Sequence, residues 1–329
     1  MDTHAVTKPL LSVLMPVYNC AEYIEEALAS IQAQTFTDFE VLVIDDGCSD
    51  ETPAIVRRIA CHDQRIKIIS RENRGIVDSL NEGVALAQGR WLARMDGDDI
   101  CEPHRFSCQL AFLNAHPEVD IVGSWVQLFG ARSEIWHHRR EDTFIKFMLL
   151  FRSSGFSHSS IMGKIEFFQN FAYDKKYEDV EDTELWSRMA LCSGVKFANI
   201  PEVLVHYRVH DAQVSKIKRT RQMILYRQIM SKYMLTLGVA DIDIEAHEWC
   251  CDLRSDLSDV ELERIYLWLE KLSSSIRADW KDDFGVISER WARLCALNGH
   301  ANKKDGLFGF RPVTWLYKTL PVLNYNKQG

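Results

Sequence analysis

Residues 90–106 read RWLARMDGDDICEPHRF, and Asp96, Asp98 and Asp99 follow directly on an apolar run. Like charges at this spacing repel one another. They are tolerated where water screens them on a loop, or where a cation belongs between them. A D-x-D at the end of a buried strand suits a hard divalent ion, because magnesium is held by one or two carboxylates together with substrate phosphates. Alone, the tripeptide recurs by chance, and a solvated loop is its ordinary meaning. Asp45-Asp46, in DDGCSD, raises a similar choice. A carboxylate there suits a uracil N–H or a ribose hydroxyl, while the bland reading is a turn satisfied by its own polar groups. Glu181-Asp182 stands in YEDVEDTELWSRMALCSG, at the start of a predicted helix. Acids in that position gain ~0.3–1 kcal/mol from the helix dipole with or without a ligand.

These residues need elements to position them. Four runs rich in Val, Ile and Leu, at 12–17, 39–44, 66–69 and 91–95, have the length and continuity of buried parallel strands. Helical spacing lies between them. Residues 21–34 place Ile24, Leu28 and Ile31 on one face behind Asn19 as cap. Asp50 is placed to cap a helix carrying Ile55, Val56 and Ile59 rather than to touch a ligand. Residues 76–88 turn Leu80, Val84 and Ala87 inward before Gly89. This alternation predicts a doubly wound α/β sheet, whose strands share one carboxyl edge where such sheets bind ligands. Tyr18-Asn19, Asp45-Asp46, Arg71-Glu72-Asn73 and Asp96–Asp99 would then meet at one crevice. Pro103 suits a first helical turn, and further strands are expected at 120–129 and 196–199. Beyond residue 216 the pattern turns helical, and Ser258-x-x-Glu261 reads as a capping box before Leu262, Ile265, Leu269 and Leu272.

Composition excludes several classes. Hydrophobic content of 47% and charged content of 26% are those of a globular chain of 329 residues. A net charge of −8 argues against nonspecific nucleic-acid binding. Nine scattered cysteines without C-x-x-C point to reduced thiols in a cytosolic setting, not to a disulfide framework or a zinc site. No signal peptide and no membrane-spanning run is expected. Neither a P-loop nor G-x-G-x-x-G follows the first strand. His137, His138 and His158 lack the helical i, i+4 pairing of a zinc motif and suit surface or supporting roles. Trp136, Trp186 and Trp249 are suited to sugar stacking, although core packing is the commoner use. Arg71 and Arg94 are as well explained by ion pairs as by phosphate contacts.

Taken together, SVLMPVYNCAEYIEEALASIQAQTFTDFEVLVIDDGCSDET, ARMDGDDICEPHRF, HSSIM, VEDTELWSRM and HYRVHDAQVS resemble family 2 glycosyltransferases of the GT-A fold, in family order over roughly residues 9–215. The resemblance implies transfer of a sugar, with inversion, from a nucleotide-diphosphate donor to an acceptor hydroxyl, with a UDP-sugar the favoured donor. It implies that Pro16, Tyr18 and Asp46 line the nucleoside pocket. Asp96 and Asp98 match the D-x-D that binds donor and divalent cation (Mn2+ or Mg2+), Asp98 more directly. Asp182 matches the general base, and His210 a histidine that helps hold the metal or diphosphate. Cys48 stands where serine is common and Gly97 where alanine is common, neither of which touches the chemistry.

The expected organisation is a catalytic domain over 9–215 and a helical region over 216–329 ending in a basic, aromatic tail. That tail, residues 302–329, carries five bases and one acid among Phe308, Phe310, Trp315 and Tyr317. Such a mixture suits peripheral contact with an anionic membrane, or packing on protein. The expected acceptor is a saccharide or a lipid-linked saccharide, in surface polysaccharide or glycoconjugate synthesis. Two rivals remain: a nucleotidyltransferase, which calls for a glycine-rich basic loop where this chain has PVYNCAEY, and a noncatalytic binding module, which needs no base.

Overall fold

The computed structural model describes residues 8–210, 218–275 and 285–299. The chain divides into two compact units, Met1–Met230 and Ser231–Gly329. The basic tail at 302–329 lies outside the described residues.

The first unit is built on a mixed sheet. β1 (Leu11–Val17), β2 (Phe39–Asp45), β3 (Ile66–Ser70) and β4 (Trp91–Arg94) run parallel in the order β3-β2-β1-β4. Every residue of β1, β2 and β4 is buried, as expected for strands covered on both faces. The cover comes from α1 (Ile24–Gln32), α2 (Thr52–Ala60) and α3 (Ile76–Leu86). Helix α1 buries Ile24, Ala27, Leu28 and Ile31, the face its spacing predicts. Helix α3 comes close because Gly83 faces the sheet: a β-carbon there would lie 2.0 Å from Leu14 Cδ1.

Local chemistry differs from the sequence reading at both helix starts. Asn19 does not cap α1, whose N-cap residue is Tyr23. It adopts a left-handed conformation (φ 48°), and its Oδ1 accepts from Ser49 N at 2.8 Å, tying together the loops after β1 and β2. Asp50 is not the N-cap of α2 either, since Glu51 occupies that position. Its two carboxylate oxygens accept from Thr52 N and Ala21 N, both at 3.0 Å. It steadies the first turn of α2 and the β1–α1 loop together.

Past β4 the sheet changes character. The chain forms β5 (Ile100–Cys101), α4 (Arg105–Ala115), β6 (Ile121–Gly130), β7 (Glu134–Trp136) and α5 (Asp142–Met148). It then inserts β8 (Met162–Lys164), antiparallel to both β4 and β6. After α6 (Ile165–Asn170) and α7 (Glu181–Leu191), β9 (Phe197–Val209) runs parallel to β6 and antiparallel to β5. The full order is β3-β2-β1-β4-β8-β6-β9-β5, with β7 on β6. The predicted strand at 196–199 is the start of a longer strand, which runs from Phe197 through Pro201 to Val209. Pro103 lies ahead of α4 rather than in its first turn. Its carbonyl accepts from Thr35 N at 2.8 Å.

Helix α8 (Arg219–Thr236) packs Leu225 and Ile229 on Tyr177 and Val180. In the second unit, α9 (Ile244–Asp252), α10 (Asp259–Ser275) and α11 (Gly285–Leu297) follow. The capping box forms: Ser258 N donates to Glu261 Oε2 at 2.7 Å, and Glu261 N donates to Ser258 Oγ at 3.3 Å. Leu262, Ile265, Trp268, Leu269 and Leu272 are buried beneath it. Among the described residues no helix is long and apolar enough to cross a membrane.

Candidate active site

The parallel strands do deliver their carboxyl ends to one edge, but the carboxylates there live in two environments. At the β1–β2 end, Pro16 is buried within β1 opposite Ile44, and the Tyr18 ring stands 56% exposed just beyond the strand. Asp45 Oδ1 accepts from Cys48 N at 2.9 Å. Asp46 is enclosed, its side chain 7% exposed. It pairs with Arg71 Nη1, and accepts from Arg74 N at 2.8 Å and Gly75 N at 2.9 Å. Arg71 is shared with Glu82 and with Ser79 Oγ. The ion-pair reading of Arg71 is therefore the one the structure gives. Asp46 welds the β2 loop to the loop that precedes α3.

At the β4 end, single oxygens of Asp96, Asp98 and Asp99 lie within 4.8 Å of one another. Asp96 pairs with Arg94 Nη1. Asp98 Oδ2 lies 3.0 Å from His210 Nε2, at the end of β9. Asp99 is fully buried; its Oδ1 accepts from Arg208 N at 2.9 Å, while Oδ2 has no hydrogen-bond partner. Arg208 also donates its Nε to the Asp98 carbonyl at 2.8 Å. Burial, then the charges of Asp96 and Asp98, pushes the Asp99 carboxyl well above the ordinary range. Burial raises Asp96 as well; Arg94 opposes the rise, while Asp98 and Asp182 add to it. An orphaned buried carboxylate oxygen within a cluster of three acids is a donor set that fits a hard cation.

Helix α7 brings the third acidic pair to the same place. Asp182 Oδ1 accepts from Thr183 N at 2.6 Å, and Glu181 Oε2 accepts from Asp179 N at 2.9 Å. Burial lifts both carboxyls, and the charge of Asp182 raises Glu181 further. Arg94 is buried between the groups, its charge acting on Asp96, Asp182, Glu181 and Tyr173. Tyr173 Oη lies 2.9 Å from His158 Nε2, and the Tyr173 backbone is clamped to Asn81 by two hydrogen bonds of 2.9 Å. Burial, then Arg94, holds His158 well below the usual imidazole range.

The structure thus brings Asp98 and His210 into direct contact, sets Asp96 in the same carboxylate cluster, and lets the charge of Asp182 act on Asp96. Pro16, Tyr18 and Asp46 stand at the neighbouring ends of β1 and β2. Sequence reasoning counted Asp99 in the carboxylate cluster and Glu181 at the helix start without choosing either as a site residue, gave no role to Tyr173 or Arg208, and set Arg94 aside. Arg94 carried a signal: a cation inside a buried strand needs an anionic partner, and Asp96 is two residues away. Of the tryptophans, Trp186 is buried among Phe156, Phe168 and His158, and Trp249 lies under the Arg264 guanidinium at 5.1 Å. Trp136 remains exposed.

Known proteins resemble this chain at two levels. S. aureus TarS in complex with UDP-GlcNAc superposes with a TM-score of 0.59 at 14% identity, covering 92% of this chain and 93% of that one. A Pyrobaculum calidifontis mannosyltransferase in complex with GDP-Man and Mn2+ gives 0.54 at 17% identity, covering 91% and 89%. These likenesses are of fold, and they assign the curled, mostly parallel sheet to the GT-A type. In sequence, an uncharacterized glycosyltransferase of Haemophilus influenzae is 30% identical over 70% of this chain and 76% of its own length. Hyaluronan synthase of Pasteurella multocida is 36% identical over 99% of this chain, which spans 32% of that protein. The profile of glycosyl transferase family 2 matches residues 12–179. With that match over half of its length and a 30% identical glycosyltransferase relative aligned over 70% of it, the chain belongs to glycosyltransferase family 2.

Proposed function

We propose that the chain transfers a sugar from a nucleotide-diphosphate donor, a UDP-sugar first among candidates, to a saccharide hydroxyl, with inversion at the anomeric carbon. The observation that carries this is the cluster at the β4 end, where oxygens of Asp96, Asp98 and Asp99 lie within 4.8 Å of one another and His210 meets Asp98 at 3.0 Å; Asp182, on α7, adds its charge to that of Asp96. Pro16, Tyr18 and Asp46 form the nucleoside end of the site. Tyr18 offers its exposed ring to the base, and the Asp46 loop shapes the pocket wall. Asp96, Asp98 and His210 would hold a divalent cation, Mn2+ or Mg2+. When bound, it supplies positive charge against the departing diphosphate.

The acceptor oxygen attacks C1 of the donor sugar as the bond from C1 to the diphosphate oxygen breaks. Positive charge develops on the sugar, so the hydroxyl proton leaves late. Asp182 takes that proton, being within a helix start fixed by its bonds to Thr183. Arg94 keeps neighbouring carboxylates from repelling one another out of position. The leaving nucleoside diphosphate carries away the electrons of the broken bond.

TarS binds UDP-GlcNAc and the Pyrobaculum enzyme binds GDP-Man with Mn2+, which supports this donor class and cation. The basic aromatic tail at 302–329 supports a peripheral position at the inner face of an anionic membrane, where a lipid-linked acceptor would be presented. Thermal unfolding with a panel of nucleoside diphosphates and their sugars, with and without manganese, tests the reading, since binding to the native state raises the midpoint. A manganese-dependent rise with one nucleotide is expected. No rise with any of them refutes the assignment.

A further inference from the structure

We infer that Trp136 and Tyr207 form an acceptor subsite, an aromatic shelf on which a pyranose ring lies beside the reacting centre. The inference rests on the transferase reading and deepens it by naming the acceptor's contact. Trp136 ends β7, the short strand on the outer side of β6. It is 38% exposed, a large apolar ring left at a sheet edge. Its indole stacks on Tyr207 of β9, with centroids 5.7 Å apart and planes 30° from parallel.

Register explains how strands that are not neighbours bring these rings together. Trp136 is opposite Val126 and Tyr207 is opposite Leu128, so both rings project over the same face of β6. Beneath them Val126, Leu128 and Val205 are buried as a small apolar cluster. The shelf therefore has a packed floor, which an exposed side chain on a loop would lack.

The shelf also runs into the proposed reaction centre. Tyr207 feels the charges of Asp96, Asp99 and Asp98, and the next residue, Arg208, is bonded to Asp99 and to the Asp98 carbonyl. At the outer end, Glu134 Oε1 accepts from Trp136 Nε1 at 3.1 Å and from Arg132 Nη2, placing a carboxylate and its guanidinium partner at the ring's rim. A pyranose presents one face of C–H bonds and a rim of hydroxyls. An indole face with a carboxylate at its edge matches both, whereas the exposed ring offered to a nucleobase is Tyr18, just past β1. The occupant is a saccharide.

The test uses the full chain and calorimetry with β-linked oligosaccharides of neutral, N-acetylated and uronic sugars, in the presence of UDP and manganese. At least one should bind the wild type. Trp136→Ala should weaken that binding about tenfold, the scale of one lost aromatic contact. Trp136→Phe should restore most of it, and UDP affinity should be the same in all three. Undiminished saccharide affinity in Trp136→Ala overturns the shelf. So does UDP binding by a wild type that binds no saccharide, and so does equal loss of UDP and saccharide binding in a variant whose unfolding midpoint is unchanged. If no nucleoside diphosphate binds the wild type, the transferase reading falls first and the shelf with it.

Discussion

Asp46 and Asp98 occupy equivalent places, each just past the carboxyl end of a parallel strand at the same sheet edge. Around Asp46 the protein supplies one guanidinium and two backbone N–H groups, enough to satisfy the carboxylate within the fold. Around Asp98 it crowds Asp96 and Asp99, sets Arg94 on Asp96, Arg208 N on Asp99 and His210 on Asp98, and leaves Asp99 Oδ2 without a donor. One carboxylate holds loops together. The other belongs to a group whose charge is incompletely met by protein. Acidic residues at a strand end are thus separated into architecture and chemistry by counting their donors.

Substitutions should expose that difference. The largest effect is expected at Asp98→Asn, which keeps shape and removes charge. Transfer should fall to background in saturating manganese with the unfolding midpoint nearly unchanged, and undiminished turnover would refute its role as a cation ligand. Asp182→Asn should lower transfer by ~10²–10⁴-fold, the worth of a positioned base. Its donor affinity, read by calorimetry, should stay near wild type; a loss proportional to the rate would move Asp182 into the donor site.

Asp46→Asn should act on the fold instead. Replacing an acceptor-only group that receives Arg71 and two backbone donors costs ~1–3 kcal/mol. A lower urea midpoint, with unaltered manganese dependence of whatever transfer remains, is the expected pair of results. A midpoint equal to wild type would place Asp46 with the chemical group and collapse the contrast.

The smallest effect concerns pH. Burial, then the charge of Asp182, raises the Glu181 carboxyl, so the folded chain keeps a proton that the unfolded chain releases. That preference is fully present below the unfolded value of ~4.3 and is lost as pH rises toward neutrality. Glu181→Gln, which can still accept from Asp179 N, should therefore match wild type near pH 4 and melt higher near pH 8. Each kcal/mol recovered is worth roughly 2–4 °C at this domain size. Equal midpoints at both pH values would show that Glu181 ionises freely.

Much of the first half was legible because β1 to β4 announce themselves by unbroken Val, Ile and Leu, and parallel strands oblige their ends to meet. Their observed bounds differ from the expected ones by a residue at an end. β5, β7 and β8 were not legible. Two or three residues carry no periodicity, and β8 exists because β4 and β6 both need a partner. Asn19 misled because a residue good at capping is also good at the left-handed conformation it adopts. The approach of Asp182 to Asp96 has no local signature, since α7 is placed by tertiary packing. That expectation came from the resemblance alone. The His158–Tyr173 pair, clamped through Asn81, had none at all.

The insertion of β8 beside β4 has a consequence for synthesis. Strand β4 is complete at Arg94, but the segment that closes its open side begins at Met162. At about 5–20 residues per second, a ribosome leaves that edge uncovered for roughly 3–14 s. During that interval a Trp91–Arg94 edge of unpaired backbone groups, flanked by buried-type apolar residues, is a template for another nascent chain. Later still come α7, then β9, which brings Arg208 and His210 to the acidic cluster, then α8. Chains stalled before Met162 should accordingly be the aggregating species, while stalls after β9 should yield a protein that stays dispersed.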